Sequence, residues 1–277
     1  MSVARRMVER QRKIRVPEIV EGNWLQPRIA LTFDDGPHPV MTTRLLNELK
    51  RLDVKATFFL VGKRMRMHPD IVVRILLEGH ELGNHTYNHV RLPCLPSNEM
   101  LAAFERTDAV MRMITGVRSR LIRPPGGEYT PAHSRRLAEA GYVNVLWTCD
   151  PADYKVGRTA TEITQLIIRD INPGGTILLH SGLQTTIDSL AGTVSALRNL
   201  GYTFTTVSEM VIDGGLAQRS DRAVYSKTRV DDTSDDIGTV YGENVSIEDF
   251  AAKLRDYKID NPVTKLQQML NRARTTY

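Results

Sequence analysis

The stretch RIALTFDDGPHP, from Arg28 to Pro39, decides the fold and poses a chemical problem. Its hydrophobic run predicts a buried strand, which ends in two adjacent aspartates and a Gly-Pro turn. Asp34 and Asp35 carry like charges, and burial of either one without a partner is costly. Either both side chains point into water at a turn, or a cation lies close enough to balance them.

Hydrophobic runs of the same kind recur along the chain, separated by longer amphipathic segments such as residues 41–52, 71–80 and 98–114. Strands that alternate with helices of this length are typical of βαβ units around a parallel sheet. Seven such units fit a small α/β barrel of about seven parallel strands better than an open sheet. The predicted strands are residues 29–33, 56–61, 81–85, 121–125, 144–149, 176–180 and 202–207.

The 277 residues divide into four segments by composition and pattern. Residues 1–26 form a basic N-terminal arm, for which a solvated tail is favoured over contact with an anionic polymer, membrane or nucleic acid. Residues 27–211 form the barrel. Residues 212–245, rich in Gly, Ser, Thr and Asp, are a linker or wrapping segment. Residues 246–277 carry two helical patterns and are a helical tail that we expect to dock on the barrel.

Composition excludes several classes of protein. With 41% hydrophobic and 25% charged residues, the chain is typical of a globular domain. Its two cysteines provide neither a disulfide framework nor a Cys-rich zinc site. The net charge of +5 is concentrated in the arm, so nucleic acid is not expected as a partner. No window approaches a transmembrane span, and no apolar segment follows the basic N-terminus, so the sequence by itself predicts a cytoplasmic location.

Polar residues stand at the carboxyl ends of five of the predicted strands. In an α/β barrel, the residues that carry chemistry collect at this end. We therefore expect seven side chains to converge on one face: Asp34, Asp35, His85, His89, Arg123, Asp150 and His180.

The segment HTYNH, residues 85–89, suggests the missing cation. Two histidines four residues apart can present both rings to one ion, although such a pair alone is weak evidence. Together with one aspartate they form a set that leaves positions open for water on zinc or a similar divalent metal. The second aspartate could then act as a base toward a water molecule made acidic by the ion. Without the histidines, Asp-Gly-Pro would signal only a turn.

Two further groups suit proton transfer at the same face. His180 ends a hydrophobic strand, and Asp150 could orient its ring and hold its proton, which would make His180 a general acid. Arg123 could pair with Asp34 and keep it ionised. Gly126, just beyond Arg123, lets the backbone approach a ligand closely.

Five segments of the chain form a recognisable set in order and spacing: TFDDG (32–36), HTYNH (85–89), RPPGG (123–127), DPADY (150–154) and LLH (178–180). They resemble the motifs of the polysaccharide deacetylases, the NodB-homology domain of carbohydrate esterase family four, over about residues 27–211. The resemblance implies a distorted (β/α) barrel and metal-dependent removal of acetyl groups from sugar polymers, often from N-acetylglucosamine.

The resemblance also implies a role for each matching residue. Asp34 corresponds to the catalytic base, and Arg123 to the arginine that pairs with it. His180 corresponds to the catalytic acid, and Asp150 to the carboxylate that tunes that acid. The implied metal ligands are Asp35, His85 and His89, and the implied ion is Zn²⁺, with Co²⁺ or another divalent ion as alternatives. Leu178 corresponds to a residue that lines the pocket for the acetyl methyl group.

Two positions depart from the family pattern. Gly126 replaces the usual tyrosine; its backbone N–H remains available to an oxyanion, but an aromatic wall of the sugar groove is lost. Tyr154 replaces the usual tryptophan and can still stack on a sugar ring. Both changes affect the preference for substrate more than the chemistry.

The sequence leaves the activity open among a few alternatives. The favoured interpretation is an N-deacetylase of a peptidoglycan- or chitin-like polymer, which would act in the cell envelope or outside the cell. An O-acetyl esterase of the xylan type would use the same residues. A deacetylase of a small acetylated sugar would fit a cytoplasmic protein, and a catalytically inactive barrel would only bind glycan.

Overall fold

The computed structural model describes residues 16–213. The predicted linker and helical tail, residues 212–245 and 246–277, lie almost wholly outside this range, as does most of the predicted arm. The described chain contains eight strands: β1 (Glu18–Ile19), β2 (Arg28–Gly36), β3 (Thr57–Leu60), β4 (Glu81–Asn84), β5 (Leu121–Ile122), β6 (Val143–Val145), β7 (Thr176–His180) and β8 (Thr203–Thr205).

In chain order, most helices of this range come after one of the predicted strands. The three predicted helical segments appear as α1, α3 and α4, with ends shifted by up to three residues. Thr159 caps the start of α6: its hydroxyl accepts a hydrogen bond from the N–H of Glu162, and the Glu162 carboxylate accepts one from the N–H of Thr159. The helices are α1 (Met41–Arg51), α2 (Gly62–Met67), α3 (Pro69–Leu77), α4 (Ser97–Thr115), α5 (Pro131–Glu139), α6 (Ala160–Asp170), α7 (Gln184–Asn199) and α8 (Val207–Asp213).

The strands form one parallel sheet in the order β1-β6-β5-β4-β3-β2-β7, with β8 paired to the start of β2. The sheet curls but does not close, since the chain near β1 and β6 reaches β7 only through isolated bridges such as that between Cys149 and Ile177. This is the α/β fold of a distorted barrel that the sequence predicts. Strand β1 was missed, and Glu18–Ile19 therefore belongs to the sheet rather than to the arm.

One predicted strand is shorter in the structure because of its prolines. The run 121–125 forms a strand only at Leu121–Ile122. Pro124 and Pro125 lack the N–H groups that would continue the ladder. Instead, Pro125–Gly127 forms a 3₁₀ turn at the carboxyl end of β5.

Strand β2 shows how the fold directs its side chains. Ile29, Leu31 and Phe33 belong to the main hydrophobic core, which also includes leucines of α1. Ala30, two residues from Thr32 and four from Asp34, packs instead with interior residues of β3, β5 and β6. Because side chains alternate along a strand, Thr32 and Asp34 share the interior face with Ala30. In the register of the sheet Asp34 is the partner of His180 on β7, so both lie at the same end of the barrel.

Among residues 16–213, no helix is both long enough and apolar enough to cross a membrane.

Candidate metal centre and catalytic groups

Asp34 is buried at the carboxyl end of β2 against a buried arginine. Its Oδ1 accepts a hydrogen bond of 2.8 Å from Nη1 of Arg123. Its other oxygen, Oδ2, lies 3.7 Å from Nε2 of His85. One oxygen is therefore used to hold the guanidinium, and the other faces the histidine.

Arg123 is 0% exposed and is fixed by more than its ion pair. Its Nε donates to the carbonyl of Val145 at 2.9 Å and its Nη2 to the carbonyl of Leu146 at 3.1 Å. Nη1 also contacts Oγ1 of Thr32 at 2.7 Å, and that hydroxyl in turn donates to a carbonyl of β7. The guanidinium thus ties β2, β5 and β6 together while it neutralises Asp34.

Asp35, His85 and His89 bring three potential ligand atoms within 4.8 Å of one another. Oδ1 of Asp35 lies 2.9 Å from Nε2 of His89 and 3.5 Å from Nε2 of His85. His85 is buried at the end of β4, whereas the His89 side chain is 45% exposed. The cluster is therefore open to solvent on one side only.

His85 is held in the tautomer that a metal ligand requires. Its Nδ1 lies 2.6 Å from the carbonyl oxygen of Arg123. Because a carbonyl can only accept, Nδ1 carries a proton, so the neutral ring would present its Nε2 lone pair to a metal on the side of Asp35.

The electrostatics of Asp35 fit a cation at this position. Its Oδ1 is buried and accepts no well-formed hydrogen bond from the part of the chain that the structure describes. Burial raises the pKa of Asp35, but in the metal-free protein protonated His85 and His89 rings outweigh it and hold that pKa well below its usual range. A divalent metal with mixed nitrogen and oxygen ligands could take the place of those ring protons between the Asp35 oxygen and the two imidazole nitrogens.

The structure corrects the predicted partner of His180. Nδ1 of His180 lies 2.7 Å from Oδ1 of Asp153, and Oδ2 of Asp153 accepts from the backbone N–H of His180 at 2.8 Å. Asp150, predicted to orient the ring, is exposed and accepts instead from the N–H of Ala152 at 2.8 Å. Asp150 shapes the turn, and the turn brings the buried Asp153 to the histidine.

The ion pair gives His180 the protonation state of an acid. Burial by itself lowers the pKa of His180, but Asp153, with smaller contributions from Asp34 and Asp35, raises it to about 9. Thr186 donates its hydroxyl to Oδ2 of Asp153 and so fixes the carboxylate. His180 is therefore a cation at neutral pH, with Nε2 left for a substrate.

Of the three residues predicted to contact substrate, Leu178 and Tyr154 lie close to His180. Leu178 is buried on β7, two residues before His180 and on the same face. Tyr154 is 53% exposed, and its ring meets the His180 ring edge to face at 5.3 Å. Gly126 has φ +71°, a conformation that suits glycine, and a Cβ there would approach only the Arg91 side chain.

Sequence reasoning missed Asp153 and Thr32 at this site. A signal for Asp153 was present, because an aspartate followed by proline usually begins a turn by bonding its own backbone two residues on. That rule assigns Asp150 to the turn and leaves Asp153 for the histidine. No comparable signal marks Thr32.

Comparisons with known proteins identify the family of the chain. The family model described as polysaccharide deacetylase matches residues 22–145. A peptidoglycan-N-acetylglucosamine deacetylase of Bacillus cereus is 36% identical over 193 residues, which are 68% of this chain and 70% of that protein. The chain spans only about two fifths of other curated relatives, such as peptidoglycan deacetylases of Bacillus subtilis and Listeria monocytogenes.

Solved structures show the same fold. The crystal structure of the Bc1960 peptidoglycan N-acetylglucosamine deacetylase has a TM-score of 0.69 and 34% identity, and the match covers 75% of this chain and 96% of that one. A family 4 acetyl xylan esterase from Clostridium thermocellum, in complex with a cobalt ion, has a TM-score of 0.62 and 30% identity over 66% of this chain and 89% of that one. The chain belongs to the polysaccharide deacetylase family of hydrolases, as its five motifs predicted.

Proposed function

We propose that the protein is a metal-dependent deacetylase that hydrolyses acetyl groups from N-acetylated sugar polymers of the peptidoglycan or chitin type. One observation carries the proposal. The cluster of Asp35, His85 and His89 lies beside an aspartate neutralised by a buried arginine, and the strand partner of that aspartate is a protonated histidine. A base, an acid and a set of metal ligands thus occur at one end of the sheet.

Asp35, His85 and His89 would hold the divalent ion, for which Zn²⁺ is our first choice and Co²⁺ the alternative. Such an ion supplies a Lewis acid, which polarises a carbonyl oxygen and lowers the pKa of water toward ~7. The orphaned Oδ1 of Asp35 and the lone pair on Nε2 of His85 support this assignment.

Asp34 is the proposed general base. Its Oδ1 is engaged by Arg123, whereas Oδ2 faces the ligand cluster and is free to accept a proton. Arg123 supplies a positive charge directly beside the buried carboxylate. Asp34 therefore takes a proton from the water molecule that attacks the acetyl carbon.

His180 is the proposed general acid, and Asp153 takes the supporting role predicted for Asp150. With Nδ1 bonded to Asp153, the Nε2 proton of His180 is the one that can pass to the sugar nitrogen as its bond to the acetyl carbon breaks. The backbone N–H of Gly126 would donate to the oxyanion, a contribution of about 10²–10³ in rate per donor. Acetate and a free amino sugar are the products.

Two observations bear on the substrate. The relatives named as peptidoglycan deacetylases favour an N-acetylated cell-wall polymer and an enzyme of the cell envelope or exterior. The acetyl xylan esterase among the solved structures supports an O-acetyl esterase as the second candidate. Tyr154, against the His180 ring, and Leu178, two residues before His180, would contact the sugar, and Gly126 would do so through its backbone.

The test is acetate release from N-acetylglucosamine oligomers. We would compare the Zn²⁺- or Co²⁺-loaded protein, the chelated protein, and Asp34→Asn loaded with the same metal. We expect release only from the loaded wild type, with at least a ~10²-fold loss in Asp34→Asn. Asp150→Asn serves as the matched control, since its side chain can keep the turn, and it should remain active.

Each other outcome excludes part of the proposal. Release from acetylated xylan but not from N-acetylglucosamine oligomers would establish the O-acetyl esterase. Release from monomeric sugars only would remove the polymer from the proposal. Metal binding without release from any of these substrates would leave an inactive glycan-binding barrel, and release that survives chelation would overturn the metal dependence.

A further inference from the structure

A chain of hydrogen bonds connects helix α4 to the loop that carries the two histidines. Asn84, the last residue of β4, directly precedes His85. Its Nδ2 donates to Oδ1 of Asp108 at 2.7 Å and to the carbonyl of Phe104 at 2.9 Å. Its Oδ1 accepts from the N–H of Thr86 at 3.0 Å. The amide thus joins two successive turns of α4 to the backbone between the histidines.

Asp108 is fixed on its other side as well. Its Oδ2 accepts from the hydroxyl of Tyr142 at 2.6 Å and from Nε of Arg118 at 3.0 Å. The carboxylate is 4% exposed, and Tyr142 is completely buried. With both oxygens engaged, Asp108 cannot rotate without loss of a bond, so it holds the Asn84 amide in one orientation.

The loop that this amide holds has an unfavourable backbone. Thr86 has φ +65° and His89 has φ +58°. A β-branched residue such as Thr86 rarely adopts this conformation, which persists only where the surroundings enforce it. The carbonyls of Thr86 and Tyr87 are held by N–H groups at the start of α2. The N–H of Thr86, in contrast, is held by Asn84 alone among the bonds in the described range.

We propose that Asn84 and Asp108 are positioning residues for the metal centre, which hold residues 85–89 in the conformation that directs both histidines toward Asp35. The inference rests on the proposed function, because it concerns the same three ligands. Neither residue touches the cluster itself. Their bond therefore affects metal affinity through the loop, in the way that outer hydrogen bonds orient metal ligands.

The test exchanges the two side chains. Asn84→Asp places a carboxylate against Asp108 and keeps its size, so the donor is replaced by a repulsive contact. The double variant Asn84→Asp with Asp108→Asn restores one donor and one acceptor in reversed order. Met111→Ala, a buried change on the same helix outside the network, is the matched control for general destabilisation. The Kd for Co²⁺ and Zn²⁺ is measured by chelator competition below the Tm of every variant.

We expect Asn84→Asp to weaken metal binding about 10–100-fold, as outer-shell changes typically do. The double variant should recover part of this loss, limited by the missing bond to the Phe104 carbonyl, and Met111→Ala should keep the wild-type Kd. Equal Kd values in all variants, with a wild type that binds metal, would overturn the positioning role alone. A wild type that binds no metal would overturn the metal centre and this inference together.

Discussion

Asp34 and Glu81 are two buried carboxylates at opposite ends of the parallel sheet, and the fold treats them differently. Asp34, at the carboxyl end of β2, faces the buried guanidinium of Arg123. Glu81, at the start of β4, receives neutral donors within residues 16–213: the hydroxyl of Thr57 at 2.8 Å and the N–H of Ser208 at 3.2 Å. Glu81 thereby connects α8 to the amino end of the barrel, whereas Asp34 belongs to the proposed site.

The difference shows what each end requires of its carboxylate. Burial raises the pKa of Glu81, and its bonds to Ser208 and Thr57 offset this only in part. A carboxyl group that only joins elements of structure can tolerate a raised pKa, because a protonated carboxyl still forms hydrogen bonds. A general base needs a partner of opposite charge when it is buried, and the guanidinium of Arg123 is that partner for Asp34.

The largest effect should follow from removal of that arginine. Arg123→Met leaves Asp34 buried without a cation and frees the carbonyls of Val145 and Leu146. We expect the free energy of unfolding to fall by about 3–5 kcal/mol, the usual cost of one broken partner in a buried pair. Urea denaturation of the chelated protein measures it without a contribution from metal binding.

A double variant separates the charge from the packing. Arg123→Met with Asp34→Asn removes the unpaired carboxylate and should be more stable than Arg123→Met alone. If the double variant is no more stable, the uncompensated charge of Asp34 is not what the arginine balances, and the contrast with Glu81 fails.

The next effect concerns the acid. The raised pKa of His180 means that it is protonated below about pH 9 and loses its proton above it. Asp153→Asn removes the anion that raises this pKa, so the alkaline limb of the rate profile should move to lower pH. We expect acetate release at pH 8 to fall ~10²-fold or more, in the range of general acid catalysis. Profiles of kcat/KM against pH measure both changes.

The same pair predicts a change in stability. Because the pKa of His180 is higher in the folded state than its ordinary 6.5, the pair stabilises the fold fully below pH 6.5 and loses that contribution as pH rises through about 9.

Asp150→Asn is the control for the rate profile and should keep the alkaline limb of the wild-type profile of kcat/KM against pH. If Asp150→Asn moves the limb and Asp153→Asn does not, the original sequence prediction stands and the structural correction is wrong.

Sequence alone predicted the features that depend on local spacing. Asp34 and Asp35 follow a hydrophobic run directly, and His85 and His89 are four residues apart after another. Parallel strands bring such positions to one end whatever the details of the loops. The prediction of the fold class and of the residues that cluster there needed no knowledge of distant contacts.

The features that sequence did not predict depend on distant contacts or on the path of one turn. Asp153 meets His180 because Asp150 bends the chain just before Asp153. Asp108 meets Asn84 because α4 passes over β4, a contact across 24 positions that no local pattern marks. Strand β1 has only two residues, too few for any periodicity.

The smallest effect tests the other end of the barrel. Glu81→Gln keeps an acceptor for Thr57 and Ser208 but cannot ionise. Since the pKa of Glu81 is raised above 4.5 in the folded state, the wild type loses stability relative to the variant as pH rises from about 4.5 through that higher folded pKa. We expect the variant to match the wild type near pH 4 and to be more stable by about 1 kcal/mol at pH 8, the scale of one buried hydrogen bond.

Chemical denaturation between pH 4 and 8 measures this difference, and acetate release shows whether it reaches the site. Activity should stay within about twofold of the wild type, because Glu81 lies at the amino end of its strand, away from the proposed base and acid. A stability difference that does not change with pH would show that Glu81 ionises as easily folded as unfolded. In that case burial without a cation would cost nothing here, and the arginine beside Asp34 would need another explanation.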